Sequence, residues 1–470
     1  MPLPEPFERA RARLAEAPNA GGWVWYGPLA PFNPGRVPRM ARHNYARELT
    51  AALFLPFLLV LFEGSVLSVL VRVRFEGAAP DAVLNAATAF IAVVPAIANL
   101  SSFVWVRVAH GKHKVETLTR IMGVMILVVL VIGLAPANTL GLVLTAAAAL
   151  SARFCWSGIL TLRSTIWRQN YPSASRARIT GRFAMVQTLL VAGLALLLGQ
   201  LMNQSELTLL LAGPVGCLMG LIGLRSWRRV RVREHRQLIV GERDAEGADV
   251  PSLNPARLAS VLRRDRDFDV YMTAQMLLGM GNIMAVALLP IVLRERFGVG
   301  YLGGLLVSTI LSMAMMPLAI PFWSRLLDAR HAASYRAIHS WVFVASIGLL
   351  LLAVLAESYA LLIVFALVRG VGFGGGALGW TLAHLDFAPR EQTTRYMGVH
   401  VTLTGLRGLI CWIAGVALYE ALEFASPGAG EWVFALCLGL TVLGTMTFTL
   451  LARSLIRRGV INPDGSRLEN

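Results

Sequence analysis

The sequence runs to 470 residues, of which 56% are hydrophobic and only 15% are charged, and its mean hydropathy is +0.62. A soluble chain of this size needs a charged skin that this composition does not supply, so the lipid bilayer must solvate much of the surface. The formal net charge of +16 would suit a nucleic-acid binder. Its basic residues, however, sit in the short segments between apolar runs, without a basic stripe carrying interleaved aromatics. That pattern fits a membrane face held against anionic lipid and argues against nucleic acid as a partner.

In chain order, residues 1–45 carry Arg9, Arg11, Arg13, Arg36, Arg39 and Arg42 and no apolar core of a signal peptide. This stretch reads as a cytoplasmic N-terminal segment. Its part 21–34, rich in Trp, Tyr, Gly and Pro, suits either a headgroup-level anchor or a loose tail. Apolar runs then fall near 47–71, 84–106, 117–136, 139–162, 181–203 and 207–225. A second set lies near 269–292, 301–324, 336–356, 358–381, 396–419 and 430–453. Each run is long enough to cross a hydrocarbon core of about 30 Å as a helix. The expected class is therefore an all-α polytopic membrane protein of twelve spans. Its expected divisions are a bundle over 46–225, a cytoplasmic linker over 226–268, a second bundle over 269–454 and a tail over 455–470.

With the N-terminus inside, only Arg72, Arg74, Arg294 and Arg296 lie in the opposite loops, and Arg153, Arg369 and Arg407 lie within spans. The other basic residues gather on one side, which predicts that both termini are cytoplasmic. A bacterial inner membrane is the expected location. In the linker, 227–236 is strongly basic and 241–251 is polar and turn-rich. Asn254 followed by Pro255 reads as the start of a short surface helix carrying Arg257, Arg263, Arg264 and Arg266. Cys155, Cys217, Cys411 and Cys437 all fall in apolar runs without metal-ligand spacing, so buried free thiols are expected and no metal or cofactor.

The two halves repeat each other. Trp105-Val106-Arg107, then His110 and Lys112, follows span two; Trp323-Ser324-Arg325, then Asp328 and Arg330, follows span eight, 218 positions later. Pro172, Arg178 and Gly181 follow span four, and Pro389, Arg395 and Gly398 follow span ten at an offset of 217. Arg153 in span four corresponds to Arg369 in span ten at an offset of 216. Three correspondences at nearly one offset indicate two parallel six-helix bundles related by an axis along the membrane normal.

On these residues the chain resembles the major facilitator superfamily over about residues 45–455. The segment around Trp105 is similar to the family's loop between helices two and three, G-x-x-x-D-R-x-G-R-[RK]. Arg107, Gly111, Lys112 and Lys114 fit its basic, glycine-containing character, whereas Ala109 and His110 replace its acidic-basic core. The second copy keeps an acid, Asp328. The resemblance implies a charge latch that stabilises the outward-open state, with Arg107, Lys112, Arg325, Asp328, Arg330, Arg178 and Arg395 as its candidate residues. Arg153, followed by Gly158, resembles the family's intramembrane arginine of helix four, often involved in proton coupling. Span five lacks the Gly-Pro signature of drug/proton antiporters. The resemblance also implies that helices one, four, seven and ten line a central path, with two, five, eight and eleven beside it.

Four charges lie deep within spans on those helices: Glu63, Arg153, Arg369 and Arg407. Intramembrane charge is kept chiefly where it faces a cavity or a partner. Arg407 has no counterpart in the first half, which favours a cavity role. Arg153 and Arg369, matched across the repeat, fit equally a scaffold role on backbone carbonyls. Desolvation favours the protonated form of a carboxyl group at the depth of Glu63, and an adjacent arginine favours the ionised form; that competition suits either a proton carrier or a fixed ion pair. Asn99, Gln187, Gln275 and Asn282 are candidates for solute contact or for interhelical hydrogen bonding. His384 and Asp386, at the end of span ten, suit a gate or a helix-end contact. The glycines between 370 and 376 follow no strand and precede no Lys-Ser/Thr, so they suit close helix packing or bending rather than a phosphate loop. The chain has no hydrolase triad, HExxH or P-loop, so no enzyme is expected. The leading expectation is a monomeric secondary transporter of a small anionic or amphiphilic solute, with protons as the candidate coupling ion. A drug or metabolite exporter, or a non-transporting receptor or assembly factor on the same scaffold, are the alternatives.

Overall fold

The computed structural model describes residues 27–202, 207–244, 254, 260–299 and 301–468. Twelve helices among them are long and apolar enough to cross a membrane. In chain order these are α1 Arg39–Phe62, α2 Asp81–Leu100, α3 Lys114–Leu134, α4 Thr139–Asn170, α5 Ser173–Leu201 and α6 Leu210–Trp227. The second set is α7 Arg266–Glu295, α8 Gly303–Ala329, α9 Ala332–Leu355, α10 Tyr359–Asp386, α11 Thr393–Ala425 and α12 Ala429–Arg457.

Local chemistry sets several of the starts. Asn138 Oδ1 accepts from the Gly141 amide at 2.9 Å at the head of α4, and Asp265 Oδ1 accepts from Phe268 N at 2.9 Å at the head of α7. Each satisfies a helix-end donor that lipid leaves without a partner. Helices α4, α5 and α11 run past the expected apolar limits at the end where the basic loops lie. There their sides pack on one another rather than on lipid, so polar turns continue the helix. Helix α1 differs from the expected single span: its α-helix gives way to a 3-10 turn at Val60–Phe62, Glu63 adopts an extended backbone, and a second helix runs over Gly64–Phe75.

The duplication predicted from motif spacing appears as repeated contacts. The Trp105 indole donates to the Phe154 carbonyl at 2.8 Å, tying the end of the second span to α4. The Trp323 indole donates to the Val371 carbonyl at 2.9 Å, tying α8 to α10. The two tryptophans are 218 positions apart and the two carbonyls 217 apart. One apolar core is drawn wholly from residues between Ala51 and Val230 and another wholly from residues between Met284 and Cys437. A further core joins both halves, with Tyr45, Trp167 and Phe183 against Ile320, Trp323 and Leu378.

Most hydrogen bonds between the halves lie at the basic end, and one lies at mid-span, where Thr188 Oγ1 donates to Met316 Sδ at 4.0 Å. Ser102 Oγ donates to the Gly398 carbonyl at 2.8 Å, Thr165 Oγ1 and Thr394 Oγ1 are 2.8 Å apart, and Arg168 Nη1 donates to the Ala388 carbonyl at 2.6 Å. At the opposite ends of α2, α5, α8 and α11, no hydrogen bond joins the halves among the described residues. The bundles therefore meet at the basic end and are unlinked at the other.

The linker departs from expectation. The stretch 241–251 was expected to be turn-rich; its first residues, Gly241–Arg243, instead end a helix, His235–Arg243, and 245–251 lies outside the described residues. Two contacts to the α2–α3 loop explain this. Glu242 accepts from Lys114 Nζ at 2.6 Å and from the Gly111 amide at 2.7 Å, and both charged side chains are buried. Gly111 has φ +63°, a left-handed conformation that lets its amide turn toward Glu242. The expected helix start at Pro255 lies outside the described residues, as do 1–26 and 245–253; Val261 belongs to a short helix, Ser260–Arg264, directly before α7.

Candidate functional site: buried arginines and a closed basic end

The four deep charges do not converge on one point. Glu63 stands at the break after α1, half-exposed, with Oε2 2.5 Å from Arg153 Nη2 of α4. Arg153 Nε also donates to the Phe62 carbonyl at 3.0 Å, and its guanidinium lies over the Phe62 ring. One arginine thus pairs with the carboxylate and also satisfies a carbonyl released where the helix stops. Glu63 therefore stands at a helix junction, in the position before Gly64–Phe75 and without a side-chain cap bond, not within a continuous helix as its place in the apolar run suggested.

Arg369 of α10 is 2% exposed. It donates from Nη2 to the Ser308 carbonyl and from Nε to Ser312 Oγ at 3.0 Å. Ser308 lies in a π-helical turn, Leu306–Ile310, at the start of α8, where the i→i+5 pattern frees a carbonyl. The repeat-related arginines therefore do the same job on different elements: Arg153 serves the junction after α1 and Arg369 the irregular turn of α8. Gly370 and Gly374 bring α10 onto α8; a Cβ would stand 2.6 Å from the Ser312 carbonyl or 2.8 Å from that of Met316. The glycine run serves close packing, and Tyr359–Leu382 continues through it as one helix.

Arg407 of α11 is 7% exposed and donates to the Gln275 carbonyl of α7 at 2.5 Å. It lies on Gly279, where a Cβ would come within 1.9 Å of Nη1. Neither Arg369 nor Arg407 forms an ion pair among the described residues, and Arg369 Nη1 and Arg407 Nε have no hydrogen-bond partner. Gln275 joins this site through its backbone, and its side-chain oxygen is buried without a partner. Asn282 bonds back to the Leu278 carbonyl of its own helix at 2.8 Å. Asn99 lies where α2 crosses α11 beside Gly405, and Gln187 is half-buried on α5.

The expected latch residues separate into two groups. Asp328, at the end of α8, accepts from the Ala177 amide at 2.7 Å, the Arg178 amide at 3.1 Å and Arg178 Nε at 2.9 Å. Both amides lie in the second turn of α5, and bonds from them and from the Arg178 guanidinium are charge-assisted. Arg395 is buried and donates to Ser260 Oγ at 3.0 Å. Arg107, Lys112 and Arg325 are exposed, and Arg330 is half-buried beside Gly465. His110 occupies the position that corresponds to Asp328. Burial holds its imidazole below the ordinary range, opposed by Glu242 and reinforced by Lys114, Arg107 and Arg395. Asp386 makes a helix-end contact: Arg467 Nε and the Ala332 amide bond it at 2.9 and 2.7 Å, and Arg467 also reaches the Leu327 and Asp328 carbonyls. His384 is fully buried, with both ring nitrogens without a hydrogen-bond partner.

Sequence reasoning missed Glu48, which is 3% exposed and accepts from the Trp167 indole at 2.5 Å and the Tyr171 hydroxyl at 2.6 Å. Its place at the edge of an apolar run looked interfacial. The signal was the aromatic and basic run of α4 at the same height, where Arg163 lies over Trp167.

The sequence model of the Major Facilitator Superfamily matches residues 53–411, three quarters of the chain. The chain belongs to the Major Facilitator Superfamily. Solved structures agree on the fold. The human organic anion transporter MFSD10 (TETRAN) superposes with a TM-score of 0.61 at 13% identity, covering 87% of this chain and 100% of that one. A bacterial homologue of the iron transporter ferroportin, in an outward-facing state, superposes with a TM-score of 0.63 at 16% identity, covering 87% and 99%. The same homologue soaked with iron gives 0.64 at 14% identity, with the same coverage. No curated protein matches by sequence. The chain is a multi-pass membrane transporter of this superfamily.

Proposed function

We propose that this transporter moves a small organic anion, or an amphiphile bearing a carboxylate, by alternating access. The observation that carries the anionic preference is the pair of buried guanidiniums, Arg369 and Arg407, each held by backbone carbonyls and neither paired with a carboxylate among the described residues. A buried cation without a counter-ion leaves the interior positive and favours a negatively charged solute. The organic anion transporter among the structural relatives agrees with this reading. The crowding of inter-half bonds at the basic end, with none at the opposite ends of the helices among the described residues, supports a state closed on that side and open on the other, and the positive-inside bias supports a cytoplasmic basic end. This is the outward-facing arrangement.

We further propose proton coupling through Glu63. Its carboxylate is the acid paired with Arg153, at a junction where the backbone already departs from the helix, so a change in its charge would be felt by both the ion pair and the helix break. The reading implies a monomer working in lipid. Thermal shifts of the purified protein against matched panels of organic anions and cations test the substrate class. Saturable stabilisation confined to anions is expected; stabilisation that follows cations overturns it. In proteoliposomes, Glu63→Gln should keep solute binding while removing the response of uptake to a pH gradient. An unchanged response defeats the coupling proposal and leaves the solute class standing.

A further inference from the structure

A cavity of about 800 Å³ opens at the basic end between the start of α3, the end of α6 and the linker. Its titratable lining is His113, Glu116, Arg120, Arg228, Arg231 and His235. Glu116 and Arg120 neutralise each other at 2.5 Å. Arg228 and Arg231 are exposed, and their guanidiniums make no ion pair among the described residues. Only the backbone of Arg231 is fixed, through reciprocal bonds with the Asn44 side chain at 2.8 and 3.0 Å. Two uncommitted guanidiniums are thus presented from a held backbone into a concave space.

The two histidines add donors without adding fixed charge. Their rings are 4.0 Å apart, His235 Nε2 accepts from the Lys114 amide at 3.3 Å, and His113 Nδ1 accepts from Glu116 N at 3.4 Å. Accepting at one nitrogen leaves the proton on the other, so each neutral ring has one N–H to offer. Val115 and Leu224 supply apolar wall beside these groups. Deeper toward the membrane centre, the same two helices expose apolar side chains: Val124 and Leu127 on α3, and Leu218 and Leu221 on α6. A basic concavity therefore continues into an unpartnered apolar surface, which is the profile of a phospholipid: headgroup above, acyl chains below.

We propose that this cavity binds a phosphate group, supplied by the headgroup of an anionic lipid whose chains lie along α3 and α6. Arg228 and Arg231 grip the phosphate oxygens in the forked geometry that guanidinium and phosphate share, and the histidine N–H groups complete the shell. The site borders the linker and the α2–α3 loop, so an occupied headgroup joins α3 to α6 at the base of the first bundle. It is separate from the transport reading and stands or falls without it.

The test uses the full chain in a neutral detergent, titrated with dioctanoyl phosphatidylglycerol, dioctanoyl phosphatidylcholine and inorganic phosphate while the unfolding temperature is followed. The expected result is a saturable upward shift with phosphatidylglycerol that exceeds those with phosphatidylcholine and with inorganic phosphate. Arg228→Gln with Arg231→Gln should raise the half-saturating concentration about tenfold or more, the loss of a single good charge-assisted contact. Arg453→Gln with Arg457→Gln, two exposed arginines at the base of the other bundle, should change it by less than about twofold. Equal half-saturation in wild type and the Arg228/Arg231 variant overturns the site, as does an equal loss in the Arg453/Arg457 control. If inorganic phosphate matches phosphatidylglycerol and depends on the same arginines, the lipid assignment is overturned.

Discussion

Replacing Asp328 with alanine tests whether the bond between α8 and α5 holds the basic end shut. The side chain is 5% exposed, whereas that of Arg178 is 50% exposed. The Arg178 ion pair is therefore well screened and is worth under about 1 kcal/mol. The two amide bonds carry more, because a hydrogen bond to a charged group contributes about 1.5–3 kcal/mol in a folded protein. Against this stands the desolvation of a carboxylate that water would otherwise solvate in an inward-open state. Taking the net as about 2 kcal/mol, Asp328→Ala should shift the ratio of outward- to inward-facing molecules by about 30-fold. Asp328→Asn keeps one acceptor oxygen and loses the charge, so a shift of about fivefold is expected. Spin labels at Val83 and Phe424, exposed near the far ends of α2 and α11, report the separation of the bundles on that side by pulsed EPR. The short-distance population should grow in the order wild type, Asn, Ala. A ratio unchanged within about twofold in the alanine variant would mean that the apolar core shared by the halves sets the balance, not the carboxylate.

Gly279→Ala forces Arg407 off the Gln275 carbonyl and should lower stability by about 1–3 kcal/mol, read as a drop in unfolding temperature; Arg407→Leu in the same background should recover part of it. Lys114→Met leaves the Glu242 carboxylate buried with only the Gly111 amide and should cost about 3–5 kcal/mol, while Lys114→Met combined with Glu242→Leu should be nearly neutral. Thermal unfolding of the two variants compares them directly. The docked linker also predicts a pH response. Burial, helped by His113 and Lys114, holds His235 down from 6.5 to about 4. The undocked linker therefore binds a proton below about pH 6.5 that the docked one takes up only near pH 4, so docking weakens as pH falls through that window and is flat above it. Proteolysis within the linker should accelerate between pH 6.5 and 4 in wild type and lose that dependence in His235→Phe.

The twelve spans were legible because lipid imposes one rule on every crossing segment: its backbone must be satisfied internally and its sides must be apolar. That rule stops at the headgroups, and so did the legibility. The extra turns of α4 and α5 carry Arg168, Arg176 and Arg178, whose polarity reads as loop until the other half of the molecule supplies Ala388 and Asp328 as partners. The linker helix escaped for the same reason. Nine residues with a mixed polar face are too short to be stable alone, and what holds them is Glu242 reaching Lys114, 128 positions away. The break at Glu63 left only a weak trace, a following glycine. Arg153 and Arg369 were found by their repeat offset, but their partners were not, because symmetry of position does not carry symmetry of the neighbouring backbone.

That inequality bears on how the two halves come together. The α5–α8 edge is closed by a carboxylate on two amides of the second turn of α5, whereas the position related to Asp328 on the α2–α11 edge holds His110. On that side the closing contacts are the Ser102 hydroxyl with the Gly398 carbonyl and Thr402 and, from α4, Thr165 with Thr394 and the Arg168 guanidinium, which donates to the Ala388 carbonyl and Thr393 Oγ1. A neutral hydrogen bond exchanged for water contributes about 1 kcal/mol or less, and a carboxylate on two amides contributes more. The two bundles thus close against each other with a carboxylate on one edge and hydroxyls beside a single guanidinium on the other.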